Sequence, residues 1–304
     1  MENQTNFLLN LISLIINFIG TIITTIILIF ILLRRKTFFD VQLLLCTNNY
    51  FVLFILGILT FSINIRVLQG DLKEFSDEQE TLICRIHSYI FYAFISAIYQ
   101  SFVLQSIFRL FRILHVTQQI LLNVRSYWLM IPLVWLFSFL LNLPILLWHG
   151  QRLIDSEHVC LVPKDDSRTI AYSILTIYGI PFLSISFIYF RVTQFLHKQS
   201  LNRNLPQIQR SQQRDIVVFR RIILILILLG IYGIPTSIML IILAFTNELA
   251  FCFYRVLVLS ISICVLTLSL ALIYITPQIN HQIQVYCRKT RVYPIVTLQQ
   301  NTNL

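Results

Sequence analysis

The sequence predicts an all-α membrane protein, a seven-transmembrane helix bundle, and three observations support this fold class. The 304 residues are 57% hydrophobic and only 12% charged, about half the charged fraction of a typical soluble protein. The apolar residues fall into seven stretches, each long enough for a helix to cross a bilayer, which takes about 20 residues. These stretches do not alternate polar and apolar residues as barrel strands do. In lipid each one must therefore be helical, because its backbone has to satisfy its own hydrogen bonds.

The order of these stretches predicts a single transmembrane domain over residues 1–290 and a short cytoplasmic tail over 291–304. The predicted helices cover approximately residues 7–33, 41–65, 84–112, 127–149, 169–197, 215–245 and 253–277. A short amphipathic helix over about 280–289 is expected to lie on the inner membrane surface. The first stretch is too long for the core of a signal peptide, and we expect it to remain in the protein.

The charges of the loops predict that the N-terminus lies outside. In that orientation the inner loops and the tail hold 16 of the 23 Lys and Arg residues, but only two of the 13 acids, Asp40 and Asp215. Cytoplasmic loops of membrane proteins carry such an excess of Lys and Arg. The net charge of +10 therefore reflects topology and contact with membrane lipid, and no nucleic-acid partner is expected. A glycosylation sequon at Asn3 falls on the predicted outside.

Several residues stand at positions and spacings that are informative for a helix bundle of this kind. Cys84 and Arg109 stand 25 residues apart at the two ends of the third helix, a rise of about 37 Å, or roughly a membrane with its interfaces. Cys160 lies in the outer loop between helices four and five. The later helices carry Trp135 followed by Pro144, Pro181 followed by Tyr189, Pro235 in Tyr232-Gly233-Ile234-Pro235, and Pro277 in Thr276-Pro277-Gln278-Ile279-Asn280.

Together these positions resemble the rhodopsin-like (family 1, class A) G-protein-coupled receptors, in a divergent form and over nearly the whole chain. The resemblance implies a disulfide between Cys84 and Cys160 that ties the second outer loop to helix three. It also assigns helix-kink and packing positions to Trp135, Pro144, Pro181 and Pro235, although prolines also occur incidentally in membrane helices and a tryptophan can simply fill a helix interface.

The resemblance further implies a cytoplasmic switch for G-protein coupling. The family's Asp-Arg-Tyr triplet is replaced here by Phe108-Arg109-Leu110, so the acid beside Arg109 is missing. Asp215 stands 20 residues before Pro235, where the family has an acid at the inner end of helix six. We expect Asp215 to pair with Arg109 at rest, with Tyr189 and Pro277 completing the switch. The alternatives are a solvated Asp215 and an Arg109 that merely extends to the lipid headgroups.

Other family positions have changed. Thr21 follows Gly20 where the family has asparagine in helix one, and Tyr232 stands where helix six has a tryptophan. Helix two lacks the family's buried aspartate, and its polar candidates are Asn48 and Asn49.

The ligand position in the family lies among helices three, five, six and seven, near the outside. No aspartate stands at Phe91, where amine receptors have one, and no lysine stands at Leu270, where opsins bind retinal. We therefore expect no cofactor, and a ligand that is a peptide, a lipid or an uncharged small molecule. The corresponding positions are Phe91, Tyr92, Ile95, Ser173, Thr236, Ser237, Leu240 and Leu266.

The remaining cysteines are assigned by their surroundings. Cys287 follows the amphipathic segment and is expected to carry a palmitoyl anchor, with a free thiol as the alternative. Cys46 and Cys264 are expected to pack inside the bundle.

We therefore expect a plasma-membrane receptor that binds an extracellular ligand and activates a heterotrimeric G protein. A transporter or channel is the first alternative, but such proteins usually place several ionisable residues within the membrane. A receptor-like protein that no longer signals is the second, because of the altered motifs. An enzyme is not expected, since the sequence has no clustered nucleophile, base or metal-ligand set.

Overall fold

The computed structural model describes residues 2–33, 40–72, 81–114, 123–154, 157–163, 166–201 and 253–276, together with Ile227 and Gly230. Its helices are α1 (Glu2–Leu33), α2 (Val41–Leu72), α3 (Leu82–Leu114), α4 (Val124–Leu147), α5 (Ser167–Ser173), α6 (Ile180–Leu201) and α7 (Phe253–Ile275). A π-helical segment, Ile174–Gly179, joins α5 to α6. Two antiparallel strands, β1 (Arg152–Ile154) and β2 (Val159–Leu161), form a hairpin between α4 and α5.

Six helical stretches within the described ranges are long and apolar enough to cross a membrane. Large apolar side chains such as Phe18, Leu133 and Phe187 are more than half exposed on these helices, as expected of surfaces that face lipid. The predicted helix over 215–245, the amphipathic helix over 280–289 and the tail lie outside the described residues. The six spans are Gln4–Leu33, Val41–Leu72, Leu82–Arg112, Val124–Leu147, Ser167–Phe195 and Phe253–Tyr274.

The second helix continues well beyond its apolar stretch. The hydropathy pattern ends it at residue 65, whereas α2 extends through Arg66 and Asp71 to Leu72. A charged side chain ends an apolar window without interrupting the backbone hydrogen bonds, so the helix projects past the hydrocarbon layer. This extension brings Asp71 to the outer end of the bundle, where it contacts other segments.

The fifth span contains a local change of helix type. Asp166 begins α5 as a capping residue, since its Oδ1 atom accepts from the backbone N–H of Thr169 at 3.1 Å. The π-helical segment follows and ends just before Pro181. Proline has no N–H and its ring clashes with the carbonyl four residues earlier, so the preceding turn widens. Pro181 thus accounts for the irregular turn of this span, which the sequence pattern alone did not predict.

The third helix lies at the centre of the bundle. Within its most apolar window 72% of the residues are buried, against 17% for α4, which lies at the periphery. The main core cluster joins α1, α2, α3 and α7, and includes the fully buried side chains of Tyr50 and Phe91. The Tyr50 hydroxyl donates to the backbone carbonyl of Ser269 at 3.1 Å, which links α2 to α7.

Small residues allow α1 to approach its neighbours closely. A Cβ atom added at Gly20 would lie 3.1 Å from the backbone of Leu266 on α7. On the other side Thr21 contacts Gly57 of α2, and the Asn17 amide donates to the Gly57 carbonyl at 2.9 Å. Close packing of this kind stabilises helix pairs in lipid, where the hydrophobic effect does not hold helices together.

Candidate functional site

A β-hairpin covers the end of the bundle that the charge pattern places outside. A disulfide joins Cys84, near the start of α3, to Cys160 in β2, with their Cα atoms 5.6 Å apart. The predicted disulfide is therefore confirmed. Val159 and Leu161, on either side of Cys160, are buried in the main core cluster, so the hairpin forms an apolar lid as well as a covalent tie.

An ion cluster around a buried guanidinium fixes the hairpin to α2 and α7. The Arg255 guanidinium donates from its two terminal nitrogens to the Asp71 carboxylate, at 2.7 and 2.8 Å, and from Nε to the Glu157 Oε2 atom at 3.0 Å. The Arg255 side chain is only 5% exposed, and those of Asp71 and Glu157 are 17% and 11% exposed. Burial raises the pKa of Glu157 above its usual range, and the charge of Arg255 opposes that rise.

This cluster was not predicted from the sequence, because Asp71 and Arg255 are 184 residues apart in the chain. The only signal was that each charged residue adjoins the outer end of an apolar stretch. Two further contacts strengthen the same junction. The Tyr254 hydroxyl donates to the carbonyl of Val162 at 3.1 Å, and the ring of His158 lies so close to Gly70 that no side chain would fit there.

An apolar cavity lies deeper in the bundle, between α2, α3, the π-helical segment and α7. Its volume of about 30 Å³ exceeds the roughly 10–15 Å³ that one water needs but is far below that of a typical ligand pocket, so a whole ligand requires the helices to move apart. The rings of Tyr99 and Tyr178 meet edge to face in its wall, with centroids 5.2 Å apart. The described residues that line it are Leu53, Leu56, Ile95, Ile98, Tyr99, Tyr178, Ser260, Ile261, Cys264, Val265 and Leu268.

Five of the predicted ligand-contact residues lie in the described part of the chain, in different surroundings. Ile95 lines the apolar cavity. Phe91 is fully buried in the main core and meets Tyr92 edge to face, with ring centroids 5.7 Å apart. Ser173 donates to the carbonyl of the residue four positions earlier, and the backbone of Leu266 lies against α1. Ligand contact by these residues stays a prediction.

Of the described residues in the cavity wall, only Ile95 was predicted as a ligand contact. The wall also contains Tyr99 and Tyr178, and Cys264, which was expected only to pack. Tyr178 lies within the π-helical segment, whose wider turn changes the direction of the side chains that follow. The one signal in the sequence was Pro181 three residues later, which marks a distorted turn without specifying which side chain turns inward.

The interior between α2, α3 and α4 contains a polar contact centred on Asn48. Its Oδ1 atom accepts from the Trp135 indole N–H at 3.1 Å, and its Nδ2 atom donates to the Ser101 hydroxyl at 3.0 Å. The Trp135 ring also stacks on Phe51 and meets Phe94 edge to face. Trp135 thus combines interface packing with a specific hydrogen bond, as buried tryptophans usually do.

Further polar contacts link the inner halves of the helices. Asn49 donates to the Gln105 side-chain oxygen at 3.3 Å, which joins α2 to α3. The Cys46 thiol lies 3.1 Å from the Thr276 hydroxyl just after α7. Cys46 is fully buried, as its expected packing role requires.

Arg109 lies near the inner end of α3 and is only 5% exposed. An arginine that merely extended to the lipid headgroups would be more exposed, so this burial favours a contact within the bundle. Its neighbour Phe108 points into a separate apolar cluster and meets Tyr127 of α4 edge to face, with centroids 5.3 Å apart. The residue that replaces the family's acid therefore packs against α4. On α6, Tyr189 is 39% exposed.

The structure describes some of the other predicted positions and not the rest. Pro144 lies inside α4, together with Pro132, and Leu270 on α7 is 49% exposed. Asn3 lies within α1. The described ranges contain no group of three or more His, Cys, Asp or Glu that could hold a metal ion. The predicted residues outside the described part of the chain are Asp215, Pro235, Thr236, Ser237, Leu240, Pro277 and Cys287.

Comparison with known proteins agrees with this architecture. The structure is similar to the crystal structure of squid rhodopsin, with a TM-score of 0.77 and 14% sequence identity over 96% of this chain and 88% of that one. At this identity the likeness shows the fold, and it confirms the predicted fold class. No curated protein matches the sequence. The family model of the seven-transmembrane receptors (rhodopsin family) matches residues 26–272, which is most of the chain. The chain therefore belongs to the rhodopsin family of seven-transmembrane receptors.

Proposed function

We propose that this multi-pass membrane protein is a plasma-membrane receptor that activates a heterotrimeric G protein when a ligand binds from outside. The observation that carries the proposal is the burial of Arg109, 5% exposed, at the inner end of the central helix. A charged side chain is costly to hold inside a membrane protein and usually serves a function there. Its position at the cytoplasmic end of α3 suits contact with a partner that acts from that side.

The ligand is an uncharged small molecule, a lipid or a peptide with an apolar part. The cavity is lined mainly by aliphatic side chains, and its polar groups are the hydroxyls of Tyr99, Tyr178 and Ser260 and the thiol of Cys264. No lysine or acid is among its described lining residues, which argues against a retinal adduct or an amine paired at this depth. The hairpin above would close over the bound ligand.

The described spans offer little support for the transporter alternative. Their buried charged side chains are Arg109 and Arg255, which lie at opposite ends of the bundle. Ion and proton pathways usually need several ionisable groups in series across the membrane. A receptor-like protein that does not signal is the second candidate, because Phe108 packs into an apolar cluster where the family has an acid.

The decisive experiment measures nucleotide exchange on purified G-protein heterotrimers with the full chain in lipid nanodiscs. Wild type is compared with Arg109→Ala and with Arg112→Ala, an exposed arginine one turn away on the same helix. We expect exchange above the rate of empty nanodiscs, abolished by Arg109→Ala and retained by Arg112→Ala. Equal effects of the two substitutions would refute a specific role for Arg109. Folded wild-type protein that fails to accelerate exchange on every G-protein class, with peptides and lipids added, would support the non-signalling alternative.

A further inference from the structure

A second and smaller cavity lies at the outer end of the bundle, between α1, α2, α7 and the hairpin. Its volume of about 10 Å³ corresponds to one group of the size of water or ammonium. The polar side chains in its wall are those of Asn10, Asn64, Glu157, Tyr254 and Arg255. It lies beside the ion cluster and one helical turn above the apolar cavity, since Val258 lines the one and Ile261 the other.

The cavity wall offers hydrogen-bond acceptors that have no donor. Asn64 is fully buried, and its amide nitrogen donates to the carbonyl of Thr60 at 3.1 Å. Its Oδ1 atom is buried without a hydrogen-bond partner among the described residues. Arg255 bonds to the Oε2 atom of Glu157, which leaves the acceptor sites of Oε1 for another donor. A buried acceptor without a donor is unfavourable. A group that donates hydrogen bonds would therefore be stabilised in this cavity.

The charge of the cluster favours a cation as that occupant. Two carboxylates, Asp71 and Glu157, share the single guanidinium of Arg255, which leaves one excess negative charge in the described part of the junction. His158 also faces Glu157 and adds positive charge only when it is protonated. A buried charge without a counter-charge is strongly unfavourable, and a small cation beside Glu157 would offset it.

We propose that this cavity binds a primary ammonium group of the receptor's ligand, held between the Asn64 Oδ1 atom and the Glu157 carboxylate. An ammonium group has three N–H donors and no acceptor, and therefore matches a wall of acceptors. The inference rests on the proposed receptor function and narrows it. A peptide with a free N-terminus could place its ammonium group here and an apolar side chain towards the apolar cavity below, whereas an uncharged small molecule has no ammonium group to place.

The test uses methylammonium as a probe on the purified full chain in detergent, and reads thermal stability instead of signalling. The melting temperature is measured against methylammonium chloride concentration at constant total chloride, with potassium chloride as the balance. We expect a saturable stabilisation, because a ligand that binds only the folded state stabilises it. Tetramethylammonium has the same charge, but it has no N–H and is too large for the cavity, and it should not stabilise.

Two asparagines provide a matched pair of variants. Asn142 of α4 is also fully buried, donates to the carbonyl four residues earlier at 2.8 Å, and has an Oδ1 atom without a partner among the described residues. It does not line the cavity. Asn64→Leu and Asn142→Leu therefore remove the same kind of contact. Only Asn64→Leu should weaken the apparent affinity for methylammonium, by about tenfold or more, since hydrogen bonds to charged groups are among the strong ones.

Three results would overturn the proposal: no saturable stabilisation, which means that the cavity holds only water; equal stabilisation by tetramethylammonium; or equal affinity in the two asparagine variants. Because no G protein takes part, these results are independent of whether the chain signals. Loss of nucleotide exchange with intact methylammonium binding would instead refute the proposed signalling function.

Discussion

Replacement of Arg255 by methionine tests the structural importance of the outer ion cluster. Methionine keeps much of the side-chain length but removes three charge-assisted hydrogen bonds to Asp71 and Glu157. The substitution leaves two shielded carboxylates without their counter-charge, which typically costs about 3–5 kcal/mol. Asp71 keeps some solvent contact at 17% exposure, so the lower half of that range is expected. At about 2–4 °C per kcal/mol, the melting temperature should fall by roughly 10 °C.

The assay is thermal unfolding of the purified protein in detergent, with Arg168→Met as the matched control. Arg168 is an exposed arginine at the same end of the bundle, and its guanidinium lies 3.9 Å from the centre of the Trp148 ring. An exposed contact of this kind is worth about 0.5–1 kcal/mol, so the control should lower the melting temperature by only a few degrees. A fall no larger for Arg255→Met than for Arg168→Met would show that the cluster contributes no net stability.

The same variant makes a prediction about pH. Burial already raises the pKa of Glu157, and Arg255 opposes that rise, so its removal should raise the pKa further. A carboxyl whose pKa is higher in the folded state binds its proton more tightly there, and stability is therefore lost as the pH rises through that pKa. The loss of stability caused by Arg255→Met, relative to wild type, should therefore become smaller as the pH falls from 7 towards the usual carboxyl range. A deficit that stays constant across this range would refute the electrostatic explanation.

Three other substitutions follow from the structure and the sequence. Cys84→Ala removes the disulfide that holds the hairpin, and should reduce the amount of folded protein at the cell surface, measured by antibody staining of an N-terminal tag. Trp135→Phe leaves the buried Oδ1 atom of Asn48 without its donor, and should lower stability by about 1–3 kcal/mol in the thermal assay. Asp215→Asn should raise basal nucleotide exchange if Asp215 restrains Arg109 at rest, and unchanged basal exchange would contradict that pairing.

The sequence predicted the parts of the fold that depend on local composition. In lipid, a stretch of some 20 apolar residues has few alternatives to a helix, so each described span was predictable from hydropathy. The disulfide was predictable because Cys84 and Cys160 fall at family positions. The π-helical segment was not, because Pro181 indicates a disturbed turn but leaves open whether the helix bends, breaks or widens.

Contacts between residues that are far apart in the chain could not be predicted, for a different reason. Arg255, Asp71 and Glu157 each look like ordinary charges at the edge of the membrane, and nothing in one sequence says that they meet. Leu266, predicted from its helix position to contact the ligand, has its backbone packed against α1, and its ligand contact stays a prediction. The direction a side chain takes depends on the rotation of its helix, and a nearly uniform apolar sequence leaves that rotation undetermined.

The two ends of the bundle are stabilised by different kinds of contact, and this difference bears on how a ligand could act. At the outer end a disulfide and the ion cluster of Arg255 hold α2, α3, α7 and the hairpin together. Near the inner end Phe108 packs in an apolar cluster, and the hydrogen bonds there, such as that from Asn49 to Gln105, join uncharged side chains. The cavity between the two ends has a volume of about 30 Å³, far below that of a typical ligand pocket. Because covalent and ionic contacts hold the outer end, we expect a bound ligand to displace the helices more easily towards the inner end, where Arg109 lies.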